Sequence, residues 1–144
     1  MKKEKLQQIL HDISSVKIVV IGDFCLDAYW FIDEAMSEIS IETNEVTRPV
    51  AKQRYSLGGA GNVTNNLAAL GIKDVRAFGV IGSDPFGAEM VRIMKATGIK
   101  TDNLLVQEAD WYTHTYAKPY IDDKELNRID FGNYNTLSKE TAVK

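Results

Sequence analysis

Asp23 and Asp27 come directly after the apolar run Val16–Ile21, and Gly58-Gly59-Ala60-Gly61-Asn62 stands immediately ahead of a helically spaced apolar set. A carboxylate can accept hydrogen bonds from two hydroxyls at once. Glycines let a ligand approach the backbone, and the free N–H groups of a helix start supply donors. Asn62 adds a side chain that both donates and accepts. These residue types suit a ligand built of oxygens, either sugar hydroxyls or a phosphate. The glycine stretch also fits a plain flexible loop ahead of a helix, and Asp23 fits a residue that closes a turn. No histidine stands near the two aspartates to complete a metal shell, so no metal site is expected.

Other chemistries find less support. Thr64 occupies the position three beyond Gly61, which breaks G-x-G-x-x-G, and no G-x-x-x-x-G-K-[ST] occurs, so neither a dinucleotide fingerprint nor a Walker P-loop is present. Gly82-Ser83-Asp84-Pro85-Phe86-Gly87 reads as a helix start, with a capping acid, proline at the first helical position and a staple-like aromatic. His11 and His114 have no serine or cysteine in a nucleophile context beside them and receive no catalytic role. Cys25 is the sole cysteine; it rules out an intrachain disulfide and reads as a small buried side chain. Lys52, Arg54, Lys118 and Arg128 fall on segments read as exposed strands, where they could meet a substrate phosphate if those strands fold over the site.

The elements that must position these residues follow from periodicity. Leu6, Ile9, Leu10 and Ile13 make one helical stripe that should lie on something, and Val16–Ile21 reads as a strand buried on both faces of a parallel sheet. Val63, Leu67 and Leu70 predict the buried face of a helix that Gly71 stops. Val75–Ile81, then Phe86, Met90, Ile93 and Met94, then Leu104–Val106 give strand, helix and strand, a parallel crossover unit. Tyr29 to Tyr55 carries aromatics, acids and Pro49, as exposed or edge strands do. His114–Ile121 and Leu126–Phe131 predict a hairpin around Asp122–Glu125, and Ser138 a cap for a last helix. The class is α/β. At 144 residues and 44% hydrophobic, the chain can bury one core. A net charge of -3 argues against nucleic acid as a partner. The lone cysteine, and the want of a signal-type block or long apolar span, predict a cytoplasmic chain with no membrane partner.

In order and spacing, Val19-Val20-Ile21-Gly22-Asp23 with Asp27, then Leu57-Gly58-Gly59-Ala60-Gly61-Asn62, then Gly82–Gly87, resemble the PfkB or ribokinase family of carbohydrate kinases. The resemblance implies a partial ribokinase-like fold: a parallel sheet flanked by helices, plus a small β lid from segments 29–55 and 112–131. It implies that Asp27, Gly58, Gly59 and Asn62 bind the sugar, that Lys118 and Arg128 are lid or phosphate contacts, and that the lid pairs two subunits in a homodimer. It also implies ATP and Mg²⁺ as cofactors of the parent enzyme, with γ-phosphoryl transfer to a hydroxyl of a sugar or sugar phosphate. The family's Asp-Thr-x-Gly-Ala-Gly-Asp-like segment, which carries the anion hole and catalytic aspartate, has no counterpart before Lys144. Residues 1–144 are therefore expected to be the amino-terminal part of one kinase domain, without its ATP-binding half, without a catalytic residue and inactive alone. The alternative expectation is a non-catalytic sugar-binding or regulatory module. Within the family, Gly22-Asp23-x-x-Leu26-Asp27-x-Tyr29-Trp30 and Leu126-x-Arg128-Ile129-Asp130-Phe131 look most like the heptose-phosphate kinase part of bacterial ADP-heptose synthases, which implies heptose 7-phosphate. Those enzymes have Arg-Ile-Ser-Pro-Glu-Ala-Pro in the lid, where this chain reads Glu38-Ile39-Ser40-Ile41-Glu42-Thr43-Asn44.

Overall fold

The computed structural model describes residues 2–144 and arranges them as two sheets sharing one core. The first sheet is parallel, in the order β1 (Lys17–Ile21), β4 (Asp74–Gly82), β5 (Lys100–Gln107). The second runs β3 (Val50–Gly59), β2 (Phe24–Ile32), β6 (His114–Ile121), β7 (Lys124–Glu125), with β8 (Ile129–Phe131) also paired to β6. Within it β2 and β6 are parallel, and the other pairs are antiparallel. The helices are α1 (Lys3–Ile13), α2 (Ala60–Ala69), α3 (Pro85–Ala96) and α4 (Lys139–Ala142).

The crossover unit forms as its pattern predicts. Asp84 caps α3 by accepting the N–H groups of Phe86 and Gly87 at 2.9 and 3.1 Å, and Pro85 fills the first helical position. Its other carboxylate oxygen accepts the Thr113 N–H at 2.7 Å, so one acid starts a helix and anchors the approach to β6. Met90 and Met94 are fully buried against Phe24, Leu26, Leu57, Val75 and Leu104, a core drawn from both sheets. Ser138 caps α4 through the Thr141 N–H.

Four expectations need correction. β1 is buried on one face only: Ile18 and Val20 point to the core, whereas Val19 and Ile21 are 53% and 76% exposed. The stripe of α1 does not lie on anything; Leu6, Ile9 and Leu10 are exposed, and Ile13 alone reaches the core. In α2 the buried residues are Ala60, Gly61 and Thr64 with Leu67 beside them, while Val63 and Leu70 face solvent. The small residues win that face because α2 lies close to the strand it leaves: a Cβ at Gly61 would stand 3.1 Å from Leu57 Cβ. Finally, the hairpin after β6 turns at Asp122-Asp123, because Ile121 already pairs with Lys124, and Asp122 supplies the left-handed residue at φ +51°.

Asp74, at the start of β4, pairs with Arg76 of the same strand and with Lys100 of β5, each at 2.9 Å. Its hydrogen bonds to these two cations hold the carboxyl well below the usual range. A depressed folded-state pKa stabilises the fold above the unfolded value and loses that contribution as pH falls through the folded one. Asp74→Asn is therefore expected to lower the thermal midpoint slightly near neutrality, with the gap to the parent narrowing below about pH 4. Parallel melting curves across that range check it, and a gap that stays constant with pH refutes it.

Candidate functional site

Strand pairing brings the two motifs side by side. β2 and β3 are antiparallel neighbours in which Asp27 faces Ser56, Cys25 faces Gly58 and Phe24 faces Gly59. Asp27 thus lies within β2, and it is Asp23, in the bend after β1, that stands near the carboxyl end of a parallel strand. The glycines form no loop either: β3 runs directly into α2, with Gly59 at φ +52°. The turn is closed by the Asp23 carbonyl, which accepts the Ala60 N–H at 3.0 Å. A Cβ at Gly58 would lie 2.7 Å from Cys25 Sγ and 3.4 Å from Asp27 Oδ2, so glycine is what lets the carboxylate rest against β3. Asn62 sits exposed in the first turn of α2, whose start has no side-chain cap. Asp27, Gly58, Gly59 and Asn62 are therefore brought to neighbouring strands and the helix that follows.

A polar face with aromatic rings extends from this point. Alternation along β2 puts Asp27, Tyr29 and Phe31 on one side, and register adds Tyr116, Lys118 and Tyr120 of β6 and Ser56, Arg54 and Lys52 of β3. Lys118 Nζ lies 2.7 Å from Asp27 Oδ1, and both side chains are about one-fifth exposed. Burial works against the lysine's charge, but the hydrogen bond and charge of Asp27 outweigh it and raise the ammonium pKa overall. Two cations share the Tyr29 ring, Arg54 Cζ at 4.4 Å and Lys118 Nζ at 5.1 Å from its centroid. Arg128 does not lie on a strand as expected; it precedes β8, packs 4.3 Å over Tyr116 and is held by Asp130 at 2.6 and 2.8 Å. Cys25 is buried beneath the site; desolvation, then Asp27 and Asp23, push its thiol up to about 11, which leaves it a packing residue. Among the described residues no three His, Cys, Asp or Glu side chains converge on a metal position. Sequence reasoning missed Tyr29 and Tyr116. The i, i+2 spacing of 27, 29 and 31 and of 116, 118 and 120 was its available signal, but the parallel pairing that joins the two sets is not.

Comparison with known proteins decides what this arrangement belongs to. Residues 15–128 match the pfkB family carbohydrate kinase profile, a span that takes in β1 through the Lys118 and Arg128 segment. The chain belongs to the pfkB family of carbohydrate kinases. Among its relatives are the D-beta-D-heptose 7-phosphate kinase of Bordetella bronchiseptica, 35% identical over 83% of this chain and 36% of that protein, and the bifunctional protein HldE of Hydrogenovibrio crunogenus, 36% identical over 86% and 25%. The HldE protein of Sulfurimonas denitrificans is 39% identical over 87% of this chain and 25% of its own length. The chain thus spans about a third or less of these pfkB relatives. Solved structures agree on the fold. A ribokinase from Cryptococcus neoformans in complex with ADP matches at TM-score 0.59 and 19% identity, over 87% of this chain and 38% of that one. A fructokinase from Xylella fastidiosa with bound ATP matches at TM-score 0.56 and 19% identity, over 83% and 31%. No helix among the described residues is long and apolar enough to cross a membrane.

Proposed function

We propose that residues 1–144 are the amino-terminal, sugar-binding part of a single ATP-dependent carbohydrate kinase domain. The observation that carries this reading is the placement of Asp27 against Gly58, one strand from the uncapped first turn of α2 that bears Asn62. Asp27 accepts hydrogen bonds from sugar hydroxyls, Gly58 and Gly59 admit the sugar to the backbone, and Asn62 donates to and accepts from a further hydroxyl. The second sheet, from segments 29–55 and 112–131, is the lid over the sugar, and the unpaired outer edge of β3 joins two subunits. The names of the relatives favour D-β-D-heptose 7-phosphate as substrate, and the cytoplasm, where ATP is available, as the compartment.

ATP and Mg²⁺ do not fit the residues present. No carboxylate cluster converges on a metal position among the described residues, and the sequence holds no G-x-x-x-x-G-K-[ST] to cradle the ATP phosphates. Both are assigned to segments outside this chain, with the catalytic base, so the chain binds and orients sugar without transferring phosphate. Calorimetric titration with sugars and sugar phosphates, beside an assay with MgATP, tests this. Selective binding weakened about tenfold in Asn62→Ala is expected, the loss of one to two hydrogen bonds. Phosphorylation of any sugar by the chain alone would place the base within it and overturn the assignment, and sugar binding indifferent to Asn62 would place the site elsewhere.

A further inference from the structure

Of the cations on the lid face, Lys118 and Arg128 each have a carboxylate, Asp27 and Asp130. Arg54 has none among the described residues. Its guanidinium lies on the Tyr29 ring at 4.4 Å, across the same ring from which Lys118 stands 5.1 Å away. Stacking on a ring face occupies the plane of a guanidinium and leaves its N–H edge free, the edge that meets two phosphate oxygens in parallel. Arg54 and Lys118 pair in register with Tyr29 from opposite sides, and Tyr29 is two residues along β2 from Asp27 on the same face. That offset is about 7 Å of strand, a distance that a six- or seven-carbon sugar bridges between a hydroxyl and its terminal phosphate.

We propose that Arg54, seated on Tyr29 beside Lys118, is a specificity-determining residue that selects sugars carrying a terminal phosphomonoester over neutral sugars. The inference rests on the sugar-binding reading above: Asp27 takes the hydroxyl end, and the Arg54–Lys118 pair takes the anionic end. Lys118 is already shared with Asp27, so of the two cations on the Tyr29 ring Arg54 is the one without a carboxylate partner among the described residues. Lys52, 5.9 Å over Phe31, lies two residues further along β3 and away from Asp27.

The test is titration of the chain, of Arg54→Gln and of Arg54→Lys with D-β-D-heptose 7-phosphate and with the same heptose lacking phosphate. Arg92→Gln, on the solvent side of α3 and paired only with Glu89, serves as the control. Arg54 lies on an exposed stretch of β3, and matching melting midpoints will establish that its variants fold. Arg54→Gln is expected to weaken the phosphate ester about tenfold and leave the free heptose unchanged, and Arg54→Lys to retain part of the preference. The parent's affinity for the ester should also fall with added salt more steeply than that of Arg54→Gln. An unchanged ratio between the two ligands in Arg54→Gln would overturn the role of Arg54 while leaving the sugar site standing. Failure of the parent chain to bind either ligand would overturn both.

Discussion

Replacing Gly59 with alanine is expected to destabilise the chain by about 3 kcal/mol or more, a large share of the roughly 5–15 kcal/mol that holds a domain of this kind folded. Two effects add at this position. The backbone there has φ +52° and ψ -131°, outside the regions open to residues with a Cβ. The new Cβ would also stand 2.6 Å from the carbonyl oxygen of Asp23, and that oxygen cannot retreat, because it accepts the Ala60 N–H that closes the passage from β3 into α2. Gly71→Ala separates the two effects: φ is +96° there, but nothing lies within 4 Å of the Cβ position, so a cost of only about 1 kcal/mol is expected. Urea unfolding followed by circular dichroism measures both variants. A Gly59→Ala midpoint equal to that of Gly71→Ala would show that the contact with Asp23 relaxes away.

If Asp27 binds sugar as proposed, Asp27→Ala is expected to weaken that binding about 100-fold, the loss of two hydrogen bonds from hydroxyls to a charged carboxylate. Asp27→Asn should fall between this variant and the parent, because the amide keeps an acceptor but not the charge. The alanine variant also leaves Lys118 one-fifth exposed and without its carboxylate, so some stability is lost as well. Lys118→Met in the Asp27→Ala background removes the stranded charge and is expected to restore the melting midpoint but not the affinity for the heptose lacking phosphate, the ligand whose binding does not call on the Lys118 charge. Calorimetry and melting on the four proteins distinguish a binding residue from a merely structural one. Recovery of affinity in the double variant would assign Asp27 to folding alone.

What could be read in advance was local. The Asp84-Pro85 helix start, the successive elements of the β4–α3–β5 unit and the glycine pair ahead of α2 each announce themselves through capping chemistry or a hydrophobic period among residues close together in the chain. The partner of a strand is another matter. β2 finds β6 because their side chains share a core and a face, and no signal near Asp27 names Lys118 as its neighbour. The same limit explains α2, where period alone favours Val63 and Leu70 but close approach to Leu57 favours glycine and alanine. It also explains β1, whose apolar residues suit a sheet covered on both faces while only one is covered by the described residues. Asp27, Gly58, Gly59 and Asn62 were named from sequence, whereas the Tyr29 and Tyr116 rings that carry the neighbouring cations required the register.

That register also governs when the site can come into being. Asp27 meets Tyr116, and Tyr29 meets Lys118, across a parallel pairing whose two strands lie near opposite ends of the chain. During synthesis β2 leaves the ribosome long before β6 exists, and for that interval its aromatic side chains have only β3 to rest on. Folds dominated by pairings over such a separation form slowly, on the order of milliseconds to seconds, because the loop entropy is lost before the contacts are gained. The Asp27–Lys118 contact should therefore be among the last to form on refolding from denaturant, and the interval before it forms is when an unpaired, aromatic-rich β2 is most open to capture by another chain.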